Sequence, residues 1–187
     1  MAEITFCYAA KDDISILVKL AREIINSKYS SFLGKESVEI FINSGQCDKE
    51  IIENIHNCVI MKTGNNYIGF SIFFENKIHL MMVAPEYEKQ GYGSKLLNHI
   101  ENKLFLENNQ IELQSFAGNV TANSFYERNG WKNIEKLSNN GVEVYKFIKM
   151  GIHLMQVSMF SNDILASDRF KLYSILEQPI KEHGSAF

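Results

Sequence analysis

The chain holds only two prolines, three cysteines and one tryptophan in 187 residues. With so little proline, and no Pro-, Gly- or Ser-rich tract, nothing marks a linker between large domains, and one domain is expected at this length. Cys7, Cys47 and Cys58 are odd in number, sparse and without metal-ligand spacing. They exclude a disulfide framework and a zinc centre, and are expected to be reduced thiols of a cytoplasmic protein. The net charge is −3, from 19 Lys and Arg against 22 Asp and Glu. That balance gives no electrostatic ground for a nucleic-acid partner. No apolar run approaches the ~18 residues of a membrane helix, so no membrane partner is expected. The opening residues lack the basic stretch and apolar core of a secretory leader. What is present is a 45% hydrophobic chain, enough for one sizeable core.

One stretch organises the rest. Ile78 to Ala84 is almost wholly apolar and Pro85 stops it, the pattern of a strand covered on both faces. Tyr92, Leu96, Leu97, Ile100 and Leu104 then recur at helical spacing, with Lys95, Asn98, Glu101 and Asn102 on the other face. Gly91 and Gly93 lie between strand and helix. The first N–H groups of a helix have no internal partner, and glycine lets a phosphate approach that backbone closely. Two familiar phosphate loops do not fit. A dinucleotide fingerprint needs glycine where Leu96 stands, and a P-loop needs Gly-Lys-Ser/Thr where Gly93-Ser94-Lys95 stands.

The remaining elements follow in order. Ile4–Tyr8 reads as a strand, and Asp12 or Asp13 caps a helix whose stripe is Ile14, Leu17, Val18, Ala21, Ile24 and Ile25. Residues 26–34 read as a Ser- and aromatic-rich connection. A helix is expected over 37–43 and a further turn over 49–54. Strands at 58–61 and 67–74 flank the turn Gly64-Asn65-Asn66 and lead into the central strand as an antiparallel meander. The helix from Tyr92 to Glu107 and a strand at 111–115 imply a parallel pair joined by a right-handed crossover. A helix over 122–129 stops at Asn129-Gly130, and strands at 131–137 and 142–150 form a hairpin. The order predicts a single α/β domain over residues 1–150 with one mixed sheet flanked by helices. Residues 151–187 form an extension, in which Phe170, Leu172, Tyr173, Ile175 and Leu176 suggest a helix capped by Ser167 or Asp168 and stopped by Pro179.

The run Val83-Ala84-Pro85-Glu86-Tyr87-Glu88-Lys89-Gln90-Gly91-Tyr92-Gly93-Ser94-Lys95 resembles the acetyl-CoA-binding motif of the GNAT (GCN5-related N-acetyltransferase) superfamily, Arg/Gln-x-x-Gly-x-Gly/Ala. Both glycines match, and Glu88 departs from the Arg/Gln position, where the family relies largely on the backbone N–H. Gln90 is a candidate for part of that polar role. About thirty residues on, Asn119-Val120-Thr121-Ala122-Asn123-Ser124-Phe125-Tyr126-Glu127-Arg128-Asn129-Gly130-Trp131 resembles the family's Asn-x-x-Ala-x-x-Phe-Tyr-Glu-x-x-Gly-Phe, with Trp131 in place of Phe. The resemblance covers residues 3–150.

It implies transfer of an acetyl group from acetyl-CoA directly to a primary amine of a small molecule or peptide, without a metal. It also implies a homodimer, since dimers are common in the superfamily. By resemblance, Met82 and Val83 sit where a strand bulge presents an oxyanion-binding N–H, and Tyr126 protonates the leaving sulfur. Residues 88–95, with Asn119, Ala122 and Phe125, hold the CoA. The early helices wall the acceptor groove, with Tyr29 to Phe32 as lining candidates. Many relatives carry a glutamate base at the start of the central strand, where this chain has Lys77-Ile78-His79. His79, with an unperturbed pKa of ~6.5, is the candidate base. The missing glutamate and Glu88 leave a second expectation open, a CoA-binding sensor or scaffold without catalysis. Scattered acids such as Glu36, Glu39 and Asp48 do not define the acceptor.

Overall fold

The structure, a computed structural model, describes residues 3–139 and 141–151. The extension expected within 151–187 therefore lies, but for Gly151, outside the described residues. Seven strands form one sheet in the order β1-β2-β3-β4-β5-β7-β6. They are β1 (Ile4–Tyr8), β2 (Cys58–Thr63), β3 (Asn66–Phe74), β4 (Lys77–Val83), β5 (Gln110–Phe116), β6 (Lys132–Asn139) and β7 (Val142–Met150). Every adjacent pair is antiparallel except β4 and β5. Helices α1 (Ile14–Leu33), α2 (Lys35–Asn43) and α3 (Gln46–Glu53) join β1 to β2. Helix α4 (Tyr92–Leu104) crosses from β4 to β5, and α5 (Val120–Arg128) follows β5. This is the mixed α/β sheet predicted, with the meander and the parallel pair in their expected places.

The sheet has a core on each face, which is why β4 is continuously apolar from Leu80 to Val83. Leu80 and Met82 face the first core with Leu17, Ala21 and Ile25 of α1 and Ile51 of α3. Ile78, Met81 and Val83 face the second, with Leu96, Leu97 and Ile100 of α4 and Tyr126 of α5. The alternation breaks once: β3 pairs Ile72 with Leu80 and Phe73 with Ile78, so His79 is the extra residue of a bulge.

Five expectations are corrected. Residues 26–33 continue α1 instead of leaving it. Ser27, Ser30 and Ser31 turn their hydroxyls back onto the helix carbonyls of Ile24, Asn26 and Lys28, and Tyr29 and Leu33 pack on the first core. Tertiary burial overrides the modest helix propensity of serine and asparagine. The turn expected at 49–54 is the eight-residue helix α3, and α4 ends at Leu104, not Glu107. Asp13 does not cap α1 through its side chain. Its carboxylate accepts from the Ala10 N–H, from Lys62 and from the Tyr67 hydroxyl. Desolvation raises its pKa, but those bonds and the Lys62 charge outweigh it and hold the pKa below the usual value. Glu101, read as part of the polar face of α4, is buried. It accepts from Trp131 Nε1 at 2.7 Å and Lys149 Nζ at 2.6 Å, tying α4 to the connection between α5 and β6 and to β7.

Candidate functional site

The site begins where two parallel strands part. β4 and β5 pair only at Lys77 with Glu112 and Ile78 with Leu113, although β4 runs on to Val83 and β5 to Phe116. Beyond Ile78 the sheet is split. The Ala84 N–H donates to Ile68 of β3 at 2.8 Å, and the Leu80 carbonyl accepts the Ser71 hydroxyl of β3 at 2.9 Å. Even-numbered residues here therefore turn their backbone polar groups toward β3. Strand alternation turns those of Met81 and Val83 the other way, into the split. Of the two residues expected to supply the oxyanion donor, Val83 presents its N–H to the gap and Met82 turns it away. The bulge lies upstream of both, at His79. Gly69, which the sequence reading passed over, lets β3 lie close beside this point. A Cβ there would fall 2.5 Å from the Met82 carbonyl oxygen and 3.2 Å from Val83 Cα.

At the mouth of the split the chain makes a turn rich in unpaired N–H groups. Pro85–Tyr87 is one turn of 3₁₀ helix, closed by Tyr87 and Glu88 N–H groups on the carbonyls of Ala84 and Pro85. Lys89 then takes a φ of 58° and Gly91 one of 84°. Both are left-handed, the conformation that glycine adopts without strain. Among the described residues, no acceptor takes the backbone N–H of Lys89, Gln90, Tyr92, Gly93 or Ser94, and the first helical bond from this loop is Lys95 N–H to the Gly91 carbonyl at 3.2 Å. Such a set of N–H groups, with the α4 dipole behind it, fits an anionic group such as a pyrophosphate.

The side chains around the loop divide. Gly93 packs against α5, since a Cβ built on it would meet the Phe125 ring at 3.4 Å. Tyr92 meets Tyr87 edge-on, with a centroid separation of 5.7 Å, and Lys95 Nζ lies 5.5 Å from the Tyr92 ring. Gln90 donates its side-chain amide to the Glu86 carbonyl at 2.7 Å, so it braces the preceding turn. Glu88 accepts Lys28 Nζ of α1 at 2.7 Å, a pairing across 60 residues that no sequence spacing signals. Asn119 caps α5 by accepting the Ala122 N–H at 3.2 Å, and Ala122 packs on the second core.

Tyr126 sits in the second core, 8% exposed, beside Phe125, Trp131 and Phe147. Burial raises its pKa far above the ordinary phenol, and Tyr29, on α1 across the sheet, adds to the shift. Tyr29 is itself raised by burial, then by Cys47, and it packs with Phe32 and Phe116. Two of the expected lining residues of α1 thus reach the end of β5. His79 is on the opposite side from Tyr126, at the closed end of the split. Its Nε2 lies 2.7 Å from Glu50 of α3 and its ring 5.3 Å from that of Phe74. Asp48, named as a scattered acid, is already held by Arg22 through two hydrogen bonds. Two open grooves flank α1, one reaching Glu39 and Asn43 and the other Asn66 and Glu86, and neither takes in the glycine loop. Among the described residues, no cluster of three His, Cys, Asp or Glu side chains could hold a metal ion, and no helix is long and apolar enough to cross a membrane.

Residues 54–133 match the family model of the acetyltransferase (GNAT) domain. No curated protein matches the chain. Among solved structures, the PaiA N-acetyltransferase of Thermoplasma acidophilum, crystallised with coenzyme A, superposes with a TM-score of 0.68. It is 20% identical, over 80% of this chain and 99% of that one. A GCN5-related N-acetyltransferase of Rhodopseudomonas palustris gives 0.68 at 13% identity, over 81% and 96%. Ard1 of Thermoplasma volcanium gives 0.58 at 15%, over 80% and 98%. At these identities the structural likeness is one of fold. Residues 54–133, which match the acetyltransferase (GNAT) domain model, contain the split strand, the glycine loop, α4 and the Tyr126 helix, and the fold is the one these N-acetyltransferase structures share over four-fifths of the chain.

Proposed function

We propose that the chain is an N-acetyltransferase that moves an acetyl group from acetyl-CoA directly to a primary amine of a small molecule or peptide. The observation that carries this reading is the split between β4 and β5, with a loop of unpaired N–H groups at its mouth and the Val83 N–H turned into it. Acetyl-CoA supplies the activated acetyl as a thioester. The N–H groups of residues 89–94 hold its pyrophosphate. The Val83 N–H donates to the thioester oxygen as it gains charge, and one such donor is worth ~3–4 kcal/mol.

Tyr126 donates to the departing sulfur. Its raised pKa keeps it protonated, while a thiol titrates near ~8.5. Complete proton transfer from Tyr126 would therefore be uphill, and its contribution is a hydrogen bond that strengthens as the thiolate forms. His79 is the base for the amine, and Glu50 fixes its ring. A base so positioned contributes ~10²–10⁴-fold. The amine then approaches from the side of α1 and α3, and the donor from the side of α4.

The test is thiol release from acetyl-CoA against a panel of small and peptide amines, with the N-acetyl product identified by mass. Amine-dependent release supports the reading. CoA binding without amine-dependent release in any member would favour the sensor or scaffold. One of the two grounds for that alternative is already weakened, because Glu88 is neutralised by Lys28.

A further inference from the structure

We propose that Lys28 of α1 is a phosphate-binding residue of the donor site, held in place by Glu88. The inference rests on the acetyl-CoA reading above. Glu88 is anomalous where it stands, because an acid beside an array of N–H groups repels the anion that the array fits. The structure resolves the anomaly. Glu88 Oε2 takes Lys28 Nζ at 2.7 Å, and both side chains stay partly exposed, at 34% and 40%. As a stabilising contact such a pair is worth little, ~0–1 kcal/mol. As a phosphate-binding device it has a clear logic. The carboxylate uses one of the three donors of the ammonium group and leaves two for phosphate oxygens. The pair is neutral, yet its cationic end is fixed beside the loop, immediately before the left-handed turn at Lys89. The cation comes from 60 residues away because α1 continues through residues 26–33. A loop there would not hold Lys28 in register.

The test compares Lys28→Ala, Lys28→Arg, Glu88→Gln and the double variant Lys28→Ala/Glu88→Gln, by CoA titration and by turnover with S-acetyl-N-acetylcysteamine, a thioester donor without phosphates. Lys28→Ala should weaken CoA binding about tenfold, the weight of one charge-assisted bond. Glu88→Gln should leave CoA binding equal or tighter, because the amide oxygen can still accept from Lys28 while the negative charge that repels phosphate is gone. The double variant should lose less than Lys28→Ala alone, since no bare carboxylate remains. Lys28→Arg should retain binding, and Lys28→Ala should leave turnover of the phosphate-free donor unchanged. Equal losses in Lys28→Ala and Glu88→Gln would make the pair merely structural and overturn the proposal, as would wild-type affinity in Lys28→Ala. If the unaltered protein binds no CoA, the acetyl-CoA reading itself falls and takes this proposal with it.

Discussion

Replacing Gly91 by alanine separates the left-handed turn from the space around it. Gly91 has φ 84° and ψ −3°, and a Cβ built there meets nothing within 4 Å. Alanine therefore fits sterically and suffers only the left-handed backbone, roughly 1–2 kcal/mol. For a chain of this size each kcal/mol shifts Tm by about 2–4 °C, so the expected fall is about 2–8 °C. Part of that strain is relieved if the loop leaves the left-handed region, and the N–H groups of residues 89–94 then no longer converge. Loss of one hydrogen bond to a charged phosphate is worth ~1.5–3 kcal/mol, so CoA affinity should fall about tenfold or more. Gly45 is a matched control. It sits at the start of α3 with φ 71° and ψ 7°, and its Cβ position is also open. Gly45→Ala should lose similar stability and keep wild-type CoA affinity. Asparagine tolerates the left-handed region, so Gly91→Asn should recover part of both losses. Calorimetric titration and thermal denaturation of the three variants make the assay. Wild-type CoA affinity in Gly91→Ala would refute the claim that this turn presents the anion-binding N–H groups.

Four further outcomes are expected. Tyr126→Phe should lower kcat more than it weakens CoA binding, and steady-state kinetics showing equal kcat would remove the donor role. His79→Gln should lower kcat/KM by ~10²–10⁴, and an unchanged value with a good amine would hand the proton to water. Stability should fall at alkaline pH. Burial, then nearby thiol and carboxylate groups, push Cys58 up to about 12 from 9.0; a raised folded pKa means stability is intact below ~9 and is lost as pH rises from there toward 12, by up to ~1.4 kcal/mol per pH unit. Denaturation of Cys58→Ala across that window should show a shallower loss. Glu101→Gln should cost about 2–3 kcal/mol, the penalty for breaking a buried pair discounted because Lys149 is 23% exposed; a smaller change in urea unfolding would mean that Lys149 reaches water.

The parts of the fold and site that were legible in the sequence are those fixed by local rules. The apolar run of β4, the proline stop, the paired glycines and the helical spacing after Tyr92 each carry their own signature, and so does the helix ending at Asn129-Gly130. The parts that escaped depend on contacts distant in sequence. Residues 26–33 carry serines that read as loop, and they are helical because Tyr29 and Leu33 find the core. Glu101 falls on the polar side of the α4 pattern and is buried because Trp131 and Lys149 arrive from 30 and 48 residues away. Glu88 reads as a defect in the loop until Lys28 is seen beside it. The Val83 N–H could be told from that of Met82 only once the register with β3 was known. A bulge moves one side chain to the other face, and the one at His79 left no mark in the run of residues.

The central claim, that the split between β4 and β5 with its glycine loop is a donor site, is tested most directly by titrating the full chain with acetyl-CoA, and with CoA alongside, in a calorimeter. Micromolar binding of acetyl-CoA at one site per chain is the predicted result. Absence of heat and of binding with both ligands would contradict it.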